Sequence, residues 1–137
     1  MNKEFCSWGK FEEGIEVILS RLKEIPGYVI AIPRGGLVLG VRLSHELDKP
    51  LAVYGTDSMN KYNPEKLGLL VDDLSDTGKV FLAILDSLRN RNLKTVALYK
   101  KPGTLYIPDY YVFETSAWIV FPWERKSKDS VDAGWKF

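Results

Sequence analysis

Strand-like and helix-like segments alternate along most of this chain. That alternation predicts an α/β domain built on a mainly parallel sheet flanked by helices. Two further observations point the same way. The stretch Val71 to Val80, VDDLSDTGKV, follows the apolar run Leu69-Leu70-Val71 and precedes Phe81, Leu82, Ile84, Leu85 and Leu88, whose spacing suits one helix face. Two polar turns, Arg34-Gly35-Gly36 and Asp72-Asp73, each follow a short apolar segment. Both therefore fall at the carboxyl ends of strands, where parallel sheets hold ligands.

The chain has 137 residues, enough for one domain with a real core, and no linker or repeat divides residues 1–137. A formal net charge of +1 gives no electrostatic case for binding nucleic acid or an anionic membrane. No apolar run approaches the roughly 18 residues that cross a bilayer. No signal-peptide core is present, and the single cysteine, Cys6, cannot close an internal disulfide, so a cytoplasmic protein is expected. Cys6 also lacks Cys or His partners at zinc-ligand spacing.

Taken in order, Ser7 is a candidate N-cap. Trp8, Phe11, Ile15, Ile18 and Leu22 then predict an amphipathic helix over Trp8–Lys23, weakened at Gly14 and ended by Pro26-Gly27. Tyr28–Ile32 reads as a buried strand. After the Pro33-Arg34-Gly35-Gly36 turn, Leu37–Leu47 returns to helical spacing, and here His45 reads as structural. Leu51–Tyr54 is a second strand, and Gly55–Gly68 is a polar loop. The acidic strand, turn and helix follow, then a strand over Thr95–Tyr99 and a turn over Lys100–Gly103. Tyr110–Phe113 and Trp118–Phe121 are brief β segments. A charged tail runs from Arg125 to Phe137, whose Trp135 and Phe137 could pack on the domain or on a partner.

The acidic stretch carries the chemistry. Asp72, Asp73 and Asp76 can hold Mg²⁺ or the hydroxyls of a polyol. Thr77-Gly78-Lys79 opens a helix whose unpaired N–H groups can hold phosphate. The same stretch thus offers both halves of a sugar-phosphate site. It is not a P-loop, because no glycine precedes Gly78 by five residues and Val80 follows Lys79. Nor does it suit a phospho-acceptor receiver, whose acidic pair ends the first strand. Taken alone, Trp118 reads as a core or interface residue and Lys101 as a surface lysine.

Three motifs in order resemble the type I phosphoribosyltransferases, specifically the short bacterial and archaeal xanthine/hypoxanthine–guanine enzymes. VDDLSDTGKV resembles their signature for 5-phosphoribosyl-1-pyrophosphate (PRPP). IAIPRGGLVLGVRLSHEL resembles their pyrophosphate loop, and KKPGTLYIPDYYVFETSAWIVFPWE resembles their purine-binding hood, about residues 101–124. Ser7-Trp8 before the first helix also fits. The resemblance implies the type I fold with a small C-terminal hood. It implies that Asp72 and Asp73 bind the ribose hydroxyls of PRPP, directly or through Mg²⁺. Asp76 would approach N7 of the purine as a base or proton acceptor. Asp76, Thr77, Gly78, Lys79 and Val80 would wrap the 5′-phosphate. Arg34 and Gly35 would contact pyrophosphate, often across a non-proline cis peptide. Lys101 would donate to the 6-oxo group, Trp118 would stack on the base, and the backbone at Ile119 would read the 2-position. Trp123 is expected to pack the hood. A homodimer or homotetramer is implied, with PRPP and a purine base as substrates, and pyrophosphate and a nucleoside monophosphate as products.

Three departures qualify that pattern. Val80 replaces the usual Thr or Ser, which removes one hydroxyl worth roughly 1.5–3 kcal/mol toward a charged acceptor. Gly55–Gly68 is shorter than the family's mobile lid and offers only Lys61 and Lys66 as cations. Val120 stands where some xanthine–guanine enzymes have an acidic residue, which favours hypoxanthine and guanine over xanthine. The expected activity is Mg²⁺-dependent purine salvage. The alternatives are a non-catalytic PRPP- or nucleotide-binding regulator on the same fold, motivated by Val80 and the short loop, and an enzyme using another nitrogenous base.

Overall fold

The structure, a computed structural model, describes residues 2–124. The tail Arg125–Phe137, with Trp135 and Phe137, lies outside the described residues. In chain order the elements are β1 (Lys3–Phe5), α1 (Trp8–Arg21), β2 (Tyr28–Ala31), α2 (Gly36–Leu47), β3 (Leu51–Val53), a 3₁₀ turn (Asp57–Lys61), β4 (Gly68–Ser75), α3 (Lys79–Ser87), β5 (Leu93–Lys100), β6 (Tyr110–Glu114) and β7 (Trp118–Val120). Five strands form one sheet in the order β3-β2-β4-β5-β6, and every pairing in it is parallel.

A parallel sheet needs cover on both faces, and this one has it. Along β4, Leu69 and Val71 join one apolar core with Phe11, Ile15 and Ile18 of α1 and Leu39 and Leu43 of α2. Leu70, between them, joins the other with Met59, Phe81 and Ile84. The pleat of a single strand thus assigns α1 and α2 to one face and α3 to the other. Ser7 caps α1 as expected, its hydroxyl accepting the Lys10 N–H at 3.0 Å. Gly14 is no defect: a Cβ there would come within 2.3 Å of Leu98 Cδ1, so its absence lets α1 lie close on β5.

Four readings need correction. β4 does not end at Val71. It continues to Ser75, because Leu74 and Ser75 pair with Tyr99 and Lys100 of an equally extended β5. Leu82 is exposed rather than on the buried face of α3, where Phe81 and Ile84 supply the contact. The predicted loop Gly55–Gly68 is packed structure. Met59 is buried, Tyr62 stacks on Tyr28 with centroids 5.1 Å apart, and the Arg91 guanidinium donates to Tyr28 Oη, Tyr62 O and Met59 O at 3.0–3.1 Å. Finally, Lys3–Phe5, assigned to no element, forms β1, which pairs in parallel with β7 as a separate two-stranded sheet.

Candidate active site

The carboxyl end of β4 positions two of the three acidic residues within the strand itself. Asp72 and Asp73 lie among its last four residues and Asp76 follows directly after its end. The β2–α2 turn closes on them. Ile32 N–H donates to Val71 O at 2.9 Å, the Pro33–Arg34 peptide is cis, and Gly36 N–H returns to Ile32 O at 2.8 Å. A Cβ on Gly35 would sit 2.5 Å from Asp73 Oδ2. The Asp73 carboxylate therefore rests directly on the glycine backbone.

The acidic pair is electrostatically unrelieved. Asp73 N–H donates to Asp72 Oδ1 at 2.9 Å, and neither carboxylate forms an ion pair with a described Lys or Arg. Burial pushes the Asp72 carboxyl above its ordinary range. Burial pushes Asp73 up further, and the neighbouring charges of Asp72 and Glu124 add to the effect. Oxygen donors held at such cost suit a hard divalent cation or sugar hydroxyls. Among the described residues, no cluster of three or more His, Cys, Asp or Glu groups could hold a metal by itself. A cation here would need oxygens from its ligand as well.

The loop after β4 is held from behind and open in front. Ser75 O accepts the Lys101 N–H at 3.0 Å and Thr77 O the Leu105 N–H at 2.8 Å. Ser75 Oγ donates to Tyr106 O at 2.8 Å. Gly78 takes φ +88°, and a Cβ there would meet Tyr106 N at 2.5 Å, so only glycine fits between the loop and the residues packed behind it. Asp76, Thr77 and Lys79 are exposed, and Lys79 N–H reaches Thr77 Oγ1 at 3.3 Å. Together with Lys101, Pro102 and Gly103 they line an open cleft of ≈600 Å³ at the start of α3. Val80 is exposed and absent from that lining, so it offers the cleft no side chain.

The hood supplies the facing wall. Lys100 and Lys101 part at the end of β5: Lys100 is buried and pairs with Glu114 at 2.7 Å, while Lys101 Nζ donates to Ala117 O, just before Trp118. A cavity of ≈290 Å³ is lined by Gly35, Asp73, Leu74, Asp76, Lys101, Trp118, Ile119, Phe121 and Glu124. Trp118 is 55% exposed in it, a large aromatic ring with an uncovered surface. A second cleft, lined by Arg34, Gly35, Trp123 and Glu124, adjoins it. The three spaces share Gly35 and Glu124 on one side and Asp76 and Lys101 on the other. They form one continuous site, with the Trp118 cavity in the middle, the Arg34 cleft at one end and the start of α3 at the other. A further cleft of ≈330 Å³ lies at the opposite, amino ends of the strands, where Asp109 is already engaged by Thr95 N–H at 2.8 Å.

Of the residues singled out in the sequence, Arg34, Gly35, Asp73, Asp76, Thr77, Lys79, Lys101, Trp118 and Ile119 line these spaces, whereas Asp72, Gly78, Val80 and the loop lysines Lys61 and Lys66 line none of them. Trp123 packs the hood, stacked on Phe121 with centroids 4.9 Å apart, and it also lines the Arg34 cleft. Leu74, Phe121 and Glu124 were missed. Glu124 faces both spaces and accepts the Phe121 N–H at 3.1 Å. Its signal was its place at the end of the aromatic WIVFPWE segment.

No protein-family model matches the chain. Xanthine-guanine phosphoribosyltransferase of Desulfotalea psychrophila is 30% identical over 89% of this chain and 86% of its own. The crystal structure of purine phosphoribosyltransferase from Pyrococcus horikoshii superposes with a TM-score of 0.80 at 34% identity, covering 92% of this chain and 96% of the other. A Helicobacter pylori xanthine-guanine-hypoxanthine phosphoribosyltransferase shares the fold, with a TM-score of 0.77 at 20% identity over 95% and 99% of the two chains. The parallel sheet with its acidic strand end and its hood is thus the architecture of a phosphoribosyltransferase. Within that class, the chain belongs to the family of the purine phosphoribosyltransferases that includes the xanthine-guanine enzymes.

Proposed function

We propose that this protein transfers the 5-phosphoribosyl group of PRPP to N9 of a 6-oxopurine, hypoxanthine or guanine ahead of xanthine, in purine salvage. The observation that supports this best is the continuity of the acidic loop with the Trp118 cavity. One space can hold a flat base and the other a phosphorylated sugar, with Asp76 and Lys101 at their junction.

In the proposed reaction the bond between the anomeric carbon and pyrophosphate breaks and a bond to the purine nitrogen forms. Positive charge develops on the ribose as the leaving group departs, as at other glycosyl centres. Asp72 and Asp73 stabilise that charge electrostatically. Asp76 accepts or shares the proton that the purine releases. Lys101, tethered at Ala117 O, donates to the 6-oxo oxygen, and the backbone near Ile119 faces the 2-position. Exposed Arg34 and the backbone of Gly35 take the pyrophosphate, and the N–H groups opening α3 take the 5′-phosphate. Mg²⁺ fits this donor set. Asp72 and Asp73 would hold it together with PRPP oxygens, and it would offset the charge of the leaving pyrophosphate. Exposed Val80, Leu105 and Ile107 support assembly as a homodimer or homotetramer. The one free cysteine, buried, supports a reducing cytoplasm, and no described helix is long and apolar enough to cross a membrane.

The test is turnover. Purified protein with Mg²⁺, PRPP and a panel of bases should form a nucleoside monophosphate and stoichiometric pyrophosphate from hypoxanthine or guanine. PRPP binding without turnover of any base would instead support the regulator reading, which the pinned Gly55–Gly68 segment and the missing hydroxyl at Val80 favour.

A further inference from the structure

The base-facing strand β7 is not anchored in the main sheet. Its partner is β1, with Lys3, Glu4 and Phe5 opposite Trp118, Ile119 and Val120. Trp118 N–H donates to Asn2 O, and Cys6 N–H to Val120 O, each at 2.9 Å. A pair of three-residue strands is marginal by itself and needs side chains to fix it. From β1 the chain passes through Ser7 straight into α1, whose first residue is Trp8.

Trp8 begins a line of ring contacts that ends in the cavity. Its ring meets Phe11 edge-on at 5.7 Å and Trp123 at 6.0 Å. Trp123 also meets Phe11 at 5.4 Å and stacks on Phe121 at 4.9 Å, with the planes 7° apart. Phe121 walls the cavity, and its N–H is held by the Glu124 carboxylate, which faces the same space. Trp8 itself is 47% exposed and lines none of the three spaces of the site. The buried face of α1 is supplied by Phe11, Ile15 and Ile18, so a tryptophan at position 8 adds little to the core that holds the helix.

We infer that Trp8 is a positioning residue for the purine base, clamping Trp123 from outside the site and thereby fixing Phe121 and the Glu124 carboxylate at the cavity. The Trp8 ring meets Trp123 at a 53° tilt, and Phe11 meets it edge-on. With both in place, the stacked Trp123–Phe121 pair has one arrangement. Without Trp8, the pair and the short strand beside it gain freedom, while the β4 loop, held from behind by Lys101, Leu105 and Tyr106, does not. The effect should therefore fall on the base and spare PRPP. The inference rests on the phosphoribosyl-transfer reading, but it also predicts a property of the unliganded protein.

Two readouts test it on wild type, Trp8→Ala and Trp8→Phe. In steady-state kinetics, Trp8→Ala should raise the base KM by about 10-fold and leave the PRPP KM within about 2-fold, and Trp8→Phe, which keeps a ring on Trp123, should restore most of the loss. In amide hydrogen exchange without ligand, Trp8→Ala should speed exchange at Phe121 and Trp118 by about 10-fold while Leu70 and Val71 stay unchanged. An unaltered base KM, an equal rise in both KM values, or acceleration spread across β4 would overturn the inference. If wild type turns over no base, the transfer reading fails, and the exchange result alone decides: local acceleration at Phe121 upholds the clamp and its absence refutes it.

Discussion

The Asp73 carboxylate lies against the backbone of Gly35, where a Cβ would stand 2.5 Å from Oδ2. The end of β4 and the start of α2 thus meet at one residue without a side chain. The backbone of Gly35 is helical (φ −57°), so alanine fits the chain path, and only the carboxylate has to move. Gly35→Ala should fold normally yet lose about 10²-fold in kcat/KM for PRPP, since small displacements of a charge at the reacting centre are costly. Thermal melts and kinetics on the same preparation check this. Wild-type kinetics would show that the carboxylate tolerates the shift.

The acidic pair makes the unliganded protein sensitive to pH. Both carboxyls have folded-state pKa values above the unfolded ones, chiefly through burial. The folded state then binds more protons, so stability is fully present below the unfolded pKa, about pH 4, and is lost as pH rises through the raised values. Asp73→Asn should flatten that decline in a melting series without ligand. PRPP with Mg²⁺ should raise the melting temperature of wild type most at the alkaline end, where the pair is ionised. A decline of the same slope in Asp73→Asn would detach the pair from the effect.

Neighbouring lysines should behave differently. Lys101→Met removes the donor tethered at Ala117 O and should raise the base KM by roughly 10-fold or more, with little change in stability. Lys100→Met removes the buried partner of Glu114, which is itself half exposed and can be resolvated. It should cost about 1 kcal/mol of stability and leave the base KM alone. Kinetics and denaturant melts of both variants separate the two roles.

Much of this arrangement is written in local patterns. The acidic strand end was visible because apolar residues precede Asp72 and a glycine turn follows Asp76. The elements that were missed depend on partners distant in sequence. Lys3–Phe5 carries little strand character and becomes β1 only because β7 lies beside it. β4 outlasts its apolar run because β5 continues to pair with it. Glu124 gains its place from packing of the hood, and the order in Gly55–Gly68 comes in part from a guanidinium that follows it by more than twenty residues.

That guanidinium gives a further test. Arg91 holds two carbonyls and a phenol that would otherwise lose partners. Arg91→Ala should cost about 3 kcal/mol, given a worth of about 1.5–3 kcal/mol for each hydrogen bond to a charged group and partial replacement by water. It should also speed proteolysis within residues 55–67. An uncleaved segment with unchanged stability would mean the loop is held by Met59 and Tyr62 alone.

Asp76 sits at the junction of the Trp118 cavity and the cleft at the start of α3. Asp76→Asn should reduce kcat by roughly 10²–10⁴, the range for lost acid–base assistance, without large changes in either KM. A rate near wild type would remove Asp76 from the proton transfer.

In the proposed division of the site, the Trp118 cavity takes the base and the β4 loop takes PRPP. Steady-state kinetics of Trp118→Ala with both substrates varied tests it most directly. Trp118 is half exposed in the unliganded protein, so its loss should spare the fold. The predicted result is a base KM raised by about 10-fold or more, as expected when a stacking face worth about 1–3 kcal/mol is lost, with the PRPP KM unchanged. An equal rise in both, or no change in the base KM, would contradict the division of the site.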